Sequence, residues 1–539
     1  MSTLGSRSHQ MFPVLDADQI DAARRFVSGT VRIFAPRTPI YGIGDRDAPV
    51  WLVLDGSIDV VRRDGLDGDR PIISLQPGQF SGEVSQLAGR ASIVAGRAGE
   101  GGCTAVPFDQ THLRALMIGS AELGEIFMRA LILRRVSLIE QGGAGTILIG
   151  DPASAEVMGL QGFLDRSGYP NLVLDVASDP DGRALVERIG VTGNQLPLVV
   201  CPTGTVLRRP GEAELAACLG MTPDLDDRKL YDVAIVGAGP AGLAAAVYGA
   251  SEGLSVLVLE EHAAGGQAGA SARIENYLGF PIGISGQALA GRAFNQALKF
   301  GAEVALPVRV ERMDCSSEDI ALALSGGRWI RARAVVLASG ARYRRPDIRD
   351  LADYEGSGVS YWASPIEARL CAGREVALIG GGNSAGQAVV FLAPQVKRLH
   401  LFVRRDLSET MSRYLIDRIA ALPNVELHVG DEVVGLEGSR STGLAAAMVR
   451  TSSGGMARYP IMHLFLFIGA DPNSRWAREC VETDAGGFVV TGRSGAPLET
   501  SRSRVFAIGD IRAGSTKRVA AAVGEGAAVI AQIHASLGE

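Results

Sequence analysis

The sequence is poor in cysteine and contains no closely spaced pair of thiols. Only six of its 539 residues are cysteines, and they are scattered along the chain. No two of them have the spacing of a metal site or of a Cys-x-x-Cys redox motif, so we expect isolated, buried thiols. The six are Cys103, Cys201, Cys218, Cys315, Cys371 and Cys480.

Positive charge and long apolar runs are also missing. The net charge of -6 argues against a general nucleic-acid binder, which needs a basic face. No run approaches the roughly 18 apolar residues of a membrane span. Residues 1–19 lack the apolar segment of a signal peptide. We therefore expect a cytoplasmic protein with no membrane span and no nucleic-acid partner.

Glycine, by contrast, is abundant, with 68 residues that concentrate in turns and nucleotide-type loops. A chain of 539 residues is too long for one hydrophobic core, which predicts several domains. Apolar residues make up 47% and charged residues 21%, ordinary values for a globular protein.

A first glycine motif follows an apolar strand at 231–236 and leads into a helix at 243–251. Its three glycines suit a tight turn, the approach of a pyrophosphate and close packing of the helix on the strand. The next strand, 255–259, ends in a carboxylate that can accept from a ribose hydroxyl. The predicted dinucleotide-binding residues are Gly237, Gly239, Pro240, Ala241, Gly242 and Glu260.

A second glycine motif repeats this pattern after the strand 374–379. Here the following strand, 398–403, ends in two arginines instead of an acid. Two guanidinium groups suit a 2′-phosphate and favour NADPH over NADH, the alternative being solvated surface charge. The predicted residues are Gly380, Gly382, Asn383, Ser384, Ala385, Arg404 and Arg405.

A third motif lies near the C-terminus, where the strand 503–508 ends in Gly509-Asp510 and a helix follows at 520–533. An acidic side chain at this place can order the ribitol and pyrophosphate of a flavin. The three motifs together predict two Rossmann-like α/β units, one for FAD and one for NADPH.

Residues 229–539 resemble low-molecular-weight thioredoxin reductases. The resemblance rests on the three motifs above and on Gly265-Gly-Gln267, Arg273-Ile-Glu-Asn-Tyr-Leu-Gly-Phe-Pro281 and Phe467-Ile-Gly-Ala470. It implies an FAD domain at 229–343 and 472–539, an NADPH domain at 344–471, a homodimer, and rotation between the domains. Further FAD-binding residues implied by the resemblance are Gly266, Gln267, Asn276 and Ala520.

The chain departs from this family at the reactive dithiol. The two thiol positions fall on Trp362 and Pro365, which cannot form a thiolate, and Cys371 lies six residues further with no partner. The resemblance implies that Trp362 lies at the flavin face, where it shields the flavin or stacks a flat acceptor. A third arginine of the family's phosphate motif falls on Glu409, for which Arg413 is a candidate substitute.

Residues 1–142 resemble a cyclic-nucleotide-binding β-roll. We expect a hairpin at 51–61 that turns at Asp55-Gly56, a second turn at 66–68, and a helix over 111–140. In the stretch 78–92, Arg90 would neutralise a cyclic phosphate and Glu83 would accept from the ribose hydroxyl. The alternative is a degenerate roll that serves as a dimer or docking surface.

Residues 146–222 resemble a thioredoxin fold, after a glycine-rich joint at 142–145. The order is strand, helix, strand, helix, hairpin and helix, with Leu196-Pro197 where the family has a cis-proline. The stretch 151–155, which would hold a dithiol, has no cysteine. The alternative is an unrelated α/β spacer.

The sequence thus predicts a multidomain chain that takes electrons from NADPH onto FAD and passes them to an unknown acceptor, such as oxygen, a quinone-like molecule or a redox protein, under control of a cyclic nucleotide. One alternative is a thioredoxin-disulfide reductase that uses distant cysteines, namely Cys371 with Cys480 or Cys315. The other is a non-catalytic flavin and nucleotide sensor or scaffold.

Overall fold

A computed structural model describes residues 8–64, 68–83, 86–87, 89–140, 145–191, 193–355, 358–439, 443–493 and 495–538. The second predicted turn at 66–68 and the glycine joint at 142–145 lie mostly outside these residues.

Residues 8–140 form a five-stranded antiparallel sheet with helices before and after it. The strand order is β1-β5-β3-β4, and β2 lies beside β5. The elements are α1 (Ser8–Met11), α2 (Ala17–Arg24), β1 (Arg32–Phe34), β2 (Pro39–Tyr41), β3 (Val50–Asp64), β4 (Gly68–Leu75), β5 (Ala95–Phe108), α3 (Gln110–Gly119) and α4 (Ala121–Glu140).

Two predictions for this region were wrong. Asp55-Gly56 is not a turn, because β3 runs through it and only shifts its register against β5 there. Gly56 has φ 72°, and a Cβ on it would overlap the carbonyl oxygen of Gly102, so its freedom serves a bulge. The long helix is two helices, because Ser120 has an extended backbone and its hydroxyl accepts from the backbone N–H of Leu123 at 3.3 Å.

Residues 145–222 form a four-stranded sheet of order β7-β6-β8-β9, in which β6 is parallel to β7 and antiparallel to β8. The predicted order of strands and helices is confirmed, as is the cis peptide bond at Leu196-Pro197. The elements are β6 (Thr146–Gly150), α5 (Ala155–Arg166), β7 (Asn171–Asp175), α6 (Pro180–Ile189), β8 (Leu198–Val200), β9 (Val206–Arg208) and α7 (Glu212–Cys218).

The expectation of isolated, buried thiols was wrong for Cys201 and Cys218, and also for Cys315 and Cys480, which are partly exposed and contact each other. Cys201, directly after β8, and Cys218, at the end of α7, form a disulfide with their Cα atoms 6.6 Å apart. The bond ties the closing helix of this region to its sheet.

Residues 229–343 begin a second α/β unit with the strand–turn–helix that the first glycine motif predicted. Its elements are β10 (Leu230–Val236), α8 (Pro240–Ser251), β11 (Val256–Leu259), α9 (Gly266–Gly269), α10 (Gly286–Phe300), β12 (Glu303–Ala305), β13 (Val310–Asp314), β14 (Ile320–Leu324), β15 (Trp329–Leu337) and β16 (Ala341–Tyr343).

Residues 358–466 form an inserted unit with a parallel sheet of order β17-β24-β18-β19-β20 and an antiparallel sheet of order β21-β22-β23. Its elements are β17 (Val359–Ser360), α11 (Pro365–Leu370), β18 (Glu375–Ile379), α12 (Asn383–Leu392), β19 (Arg398–Val403), α13 (Arg413–Ala420), β20 (Val425–Val429), β21 (Glu432–Ser439), β22 (Gly443–Arg450), β23 (Met456–Tyr459) and β24 (His463–Leu466).

The chain then returns to the first unit through β25 (Ala470–Pro472), β26 (Val505–Ala507) and α14 (Val519–Leu537). Strand β25 pairs with β16, and β26 completes a seven-stranded sheet of order β12-β11-β10-β15-β14-β13 by lying beside β15. Five of these strands, β12, β11, β10, β15 and β26, are parallel, so their carboxyl ends meet at one edge.

Helix α14 alone, within the described ranges, is long and apolar enough to pass as a membrane span, with a hydropathy of 1.2. It packs on α8 within the unit of residues 229–343 and 470–538, which we call the FAD-type unit after its predicted cofactor. Gly526 lies against the backbone of Ala241, and Val529, Ile530 and Ile533 are fully buried.

Candidate functional site

The three glycines of the first motif lie at the carboxyl edge of the parallel sheet, and neighbouring backbone atoms leave no room for a Cβ at two of them. A Cβ on Gly237, with φ 110°, would overlap the carbonyl oxygen of Ala338, and a Cβ on Gly242 would overlap that of Gly237. At Gly239 the nearest atom to a Cβ is Gly266 Cα, at 4.0 Å. The loop is therefore closed towards the sheet and open at the N-terminus of α8, where a pyrophosphate fits.

Glu260 directly follows β11 and holds the same loop. Its carboxylate accepts from the backbone N–H of Ala238 at 2.7 Å and of His262 at 3.0 Å. Burial raises the pKa of Glu260. The predicted ribose acceptor thus stands beside the glycine loop, at the end of the neighbouring strand.

Two further loops converge on this edge. Gly266 lies against Gly239, and the Gln267 amide donates to the carbonyl oxygen of Ala341. Gly509, with φ 70°, stands so close that a Cβ on it would lie 3.0 Å from that of Ala241. The Gly509 N–H donates to Glu525 of α14, and Ala520 lies in the first turn of the same helix. The structure therefore brings the predicted flavin residues of four segments together.

Asp510 connects this edge to a group of aromatic rings that the sequence did not reveal. Burial raises the pKa of Asp510, opposed by the charge of Lys517. Burial and the nearby Asp510 raise the pKa of Tyr343 to about 12. The Tyr343 ring stacks on Tyr361 at 6.4 Å and meets Phe467 edge-on at 6.1 Å. These rings join the carboxyl edge of the seven-stranded sheet to the segment that carries Trp362.

Asn276 lies at the boundary between the FAD-type unit and the inserted unit. It lines a cleft of about 460 Å³ together with Tyr414 of α13. Arg418, also on α13, forms an ion pair with Glu275 across this boundary. Of the predicted FAD residues, Asn276 is the one placed where the two units face each other.

Residues 361–365, on which the sequence resemblance placed the family's thiol positions, lead into helix α11. The carboxylate of Glu367 accepts from the Trp362 indole N–H and from the Ser364 backbone N–H, each at 2.9 Å. Pro365 occupies the first position of α11, where its missing N–H costs nothing. Trp362 keeps 39% of its surface exposed although its indole is held. Glu367 thus holds Trp362 and Ser364 in place, and this hydrogen-bonded group contains no sulfur atom.

Cys371 does not supply an accessible thiol near Trp362, because its side chain is buried in the core of the inserted unit. Burial raises the pKa of its thiol to about 12, far above neutral pH. The structure also keeps Cys371 apart from Cys315 and Cys480, which pack against the core of the other unit. The alternative in which Cys371 pairs with either of them is therefore not formed in this structure, where all three are free cysteines.

Cys315 and Cys480 instead contact each other. Burial and this contact raise the pKa of Cys315 to about 12. Asp314, the neighbour of Cys315, is in register through β14 and β15 with Leu230, at the start of β10. Gly237 follows the opposite end of β10, roughly 20 Å from Leu230 at the strand's rise per residue. The thiols of Cys315 and Cys480 are therefore far from the glycine loop at Gly237.

The second glycine motif occupies the equivalent edge of the inserted sheet. A Cβ on Gly380, with φ 146°, would overlap the carbonyl oxygen of Phe467, and Gly382 precedes the first turn of α12. Asn383 accepts from the backbone N–H of Ser412 at 2.7 Å and so fixes the loop. Ser384 is exposed at this edge and Ala385 is buried against it.

The arginines that follow β19 differ in whether an ion pair within the protein already occupies their guanidinium group. Arg405 lies 3.4 Å from Glu409, and Arg413 lies 2.8 Å from Asp417. Arg404 is exposed and has no ion pair in the described part of the chain. Arg404 is therefore the cation best placed for a 2′-phosphate, while Glu409 neutralises part of the charge of Arg405.

Glu83 and Arg90 are brought together inside the protein. Arg135 of α4 pairs with Glu83 at 3.3 Å, and its guanidinium lies over the Tyr169 ring. Arg90 stacks on Phe294 of α10, and burial lowers its pKa. Within the described residues, Arg90 Nη2 and Glu83 Oε1 are buried without a hydrogen-bond partner. The sequence did not reveal Arg135, Tyr169 or Phe294, which come from three distant segments.

Comparison with known proteins agrees with the C-terminal geometry. The profile of the family "Pyridine nucleotide-disulphide oxidoreductase" matches residues 231–526. The chain is 32% identical over 303 residues to thioredoxin reductase of Listeria monocytogenes, covering 56% of this chain and 92% of that protein. It is 31% identical over 300 residues to the bifunctional thioredoxin reductase/thioredoxin of Mycobacterium leprae, covering 56% of this chain and 64% of that protein.

Among solved structures, Lactococcus lactis thioredoxin reductase aligns with a TM-score of 0.54 at 25% identity, covering 57% of this chain and 99% of that one. The chain belongs to the pyridine nucleotide-disulphide oxidoreductase family. It is an oxidoreductase of thioredoxin reductase type, and FAD and NADPH are the cofactors of that type. The open glycine loops, Asp510 and the exposed Arg404 fit these two cofactors.

Proposed function

We propose that this chain is an NADPH-dependent FAD oxidoreductase whose electrons go to an acceptor outside the protein and not to a disulfide beside the flavin. The observation that supports the proposal is the hydrogen-bonded group of Trp362, Ser364 and Glu367, in the segment where the resemblance implies the family's dithiol. When bound, FAD supplies hydride acceptance from NADPH and the release of one or two electrons.

The residues of the chain do the positioning. The glycine loops and helix N-termini hold the two pyrophosphates, and Arg404 binds the 2′-phosphate. Glu367 fixes the indole of Trp362, so that an aromatic face of constant orientation is offered to a flat acceptor. Tyr343 and Tyr361 link this face to the Asp510 loop.

Anaerobic reduction of the reconstituted protein by NADPH, followed by rapid mixing with acceptors, tests the proposal. The panel contains oxygen, a quinone, a small disulfide and oxidised thioredoxin. We expect fast reoxidation by a quinone or oxygen and slow reoxidation by both disulfides. A flavin that NADPH leaves oxidised, or that only oxidised thioredoxin reoxidises, overturns it.

A second candidate is a disulfide reductase that uses distant sulfurs. The family membership favours it, and so does the disulfide between Cys201 and Cys218. In this case electrons from NADPH must reduce the bond between Cys201 and Cys218 and so produce two free thiols. Thiol counting before and after NADPH, on the wild type and on Cys201→Ser, distinguishes it: an NADPH-dependent gain of two thiols that the variant lacks supports the candidate, and no gain removes it.

Regulation by a cyclic nucleotide forms part of the proposed function. The unpartnered atoms of Arg90 and Glu83 suit a phosphate and a ribose hydroxyl, and the buried positive charge of Arg90 suits an anion. The Arg90 guanidinium lies over the ring of Phe294, a residue of α10. Helix α10 in turn packs against α8 and α9, the helices that follow the predicted flavin-binding loops. An anion that draws Arg90 away from Phe294 would therefore act on the flavin site.

The test compares the rate of flavin reduction with and without 3′,5′-cyclic AMP or cyclic GMP. We expect a change in the wild type that Arg90→Met abolishes, because coupling requires different affinities in two states. Identical rates together with no measurable binding discard the regulation and leave the electron-transfer proposal intact.

A further inference from the structure

Two histidines and a glutamate form a cluster on the inserted sheet, away from the cofactor edges. His400 lies on β19, and Glu426 and His428 lie on the adjacent strand β20. Glu426 is the register partner of His400, and His428 is two residues further, so the three side chains share one face of the sheet. We call His400, Glu426 and His428 the histidine cluster.

The donor atoms of the histidine cluster have the separations of a metal site. His400 Nδ1 lies 3.1 Å from His428 Nε2 and 3.3 Å from Glu426 Oε2, and all three donor atoms lie within 4.8 Å of one another. Tetrahedral zinc with bonds of about 2.1 Å holds its ligand atoms about 3.4 Å apart. A hydrogen bond between the rings explains only one of these short distances, because His400 Nδ1 carries at most one proton.

Each ring also turns its second nitrogen towards a carboxylate. His400 Nε2 lies 3.8 Å from Glu375, and His428 Nδ1 lies 3.7 Å from Asp431. His400 Nε2 is buried and has no hydrogen-bond partner among the described residues. Metal-binding histidines regularly have a carboxylate at this second nitrogen, where it orients the ring and raises its basicity.

Neighbouring side chains hold the rings and leave one carboxylate oxygen free for an ion. Tyr459 meets the His400 ring at 4.9 Å, and Phe402 stacks on His428 at 4.6 Å. Arg398 binds the other oxygen of Glu426, Oε1, at 2.8 Å. The Glu426 side chain is 43% exposed, which gives an ion and a water molecule access from the edge of the sheet.

We propose that His400, His428 and Glu426 bind one divalent transition-metal ion of the zinc class, with water as the fourth ligand. Two imidazole nitrogens and one carboxylate suit such an ion and disfavour Mg²⁺ and Ca²⁺, which take oxygen ligands. The ion would tie the edge strand β20 to β19, which ends at Val403 just before Arg404. It therefore stabilises the strand that presents the phosphate-binding arginine.

The test uses full-length protein that has been treated with a chelator and dialysed. Zn²⁺ is titrated in competition with a chromophoric chelator, and Co²⁺ absorption reports tetrahedral coordination. We expect one equivalent per chain, bound at least about tenfold more weakly by Glu426→Gln and His428→Gln. We also expect Zn²⁺ to raise the melting temperature of the wild type and not that of the two variants.

Two controls keep the outcome interpretable. His534→Gln removes a histidine outside the cluster, and Cys480→Ser removes the thiol that contacts Cys315; both should bind as the wild type does. Glu426 is half-exposed on an edge strand, so Glu426→Gln should fold normally. If His428→Gln does not fold, the metal affinity of Glu426→Gln alone tests the site. Absence of a bound equivalent in folded wild type, undiminished affinity in both cluster variants, or loss in Cys480→Ser overturns the proposal.

Discussion

Trp362 donates its indole N–H to the carboxylate of Glu367 at 2.9 Å, at the start of helix α11. Glu367 lies at the third position of α11 and also accepts from Ser364, in the manner of a capping box. Residues 362–367 thus form a local structure that is held by its own hydrogen bonds.

Removal of the Trp362 ring should impair electron delivery more than flavin reduction. Trp362→Ala should lower kcat/KM for a quinone acceptor about fivefold, because stacking on an aromatic face contributes about 1 kcal/mol. The rate of flavin reduction by NADPH should stay nearly unchanged. Stopped-flow measurement of both half-reactions checks this, with Trp362→Phe as the control that keeps the ring. Equal losses in both half-reactions would contradict a role at the acceptor site.

Arg404 should determine the preference for NADPH. A charge-assisted bond to the 2′-phosphate contributes about 2 kcal/mol, so Arg404→Ala should raise KM for NADPH roughly 30-fold. KM for NADH should not change. Arg413→Ala is the matched control, since Arg413 is already paired with Asp417. The assignment fails if the two variants behave alike.

Arg90 and Arg135, two of the buried arginines of the N-terminal region, should affect stability differently. Arg135→Ala leaves Glu83 buried without its partner and should lower the free energy of unfolding by about 3 kcal/mol. Arg90→Met removes a buried guanidinium with an unpartnered nitrogen and should be neutral or stabilising. Urea denaturation of both variants measures the difference, and a larger loss for Arg90→Met would show that Arg90 has the tighter partner.

His463 should make stability depend on pH. Burial lowers its pKa to about 4, whereas an unfolded histidine titrates near 6.5, so the unfolded chain binds the extra proton between these values. Stability should fall as pH decreases from about 6.5 towards 4, by roughly 3 kcal/mol in total. Comparison of unfolding at pH 7 and 5 for wild type and His463→Gln isolates this contribution. An unchanged pH slope in the variant would assign it to other groups.

The sequence predicted what is encoded by neighbours in the chain and failed where distant segments meet. The loop at Gly237 and the start of α8 follow from a local pattern, and so do β6 and α5. Gly56 misled because a positive φ serves a bulge as well as a turn. The bond between Cys201 and Cys218 depends on how α7 packs on its sheet, which no local pattern records.

The same limit applies to the candidate sites. Glu83 and Arg90 lie in one motif and could be read from it, but Phe294 lies more than 200 residues further along the chain. Only the packing of α10 against the N-terminal region brings it to Arg90. The histidine cluster escaped for a similar reason, since His400 and His428 meet through the register of β19 and β20.

Anaerobic titration of the FAD-loaded protein with NADPH tests the central claim most directly, because the flavin alone takes up two electrons and a flavin with a communicating disulfide takes up four. The account predicts complete reduction with one NADPH per chain and no newly exposed thiols. Consumption of a second NADPH, accompanied by two new thiols per chain, would contradict it.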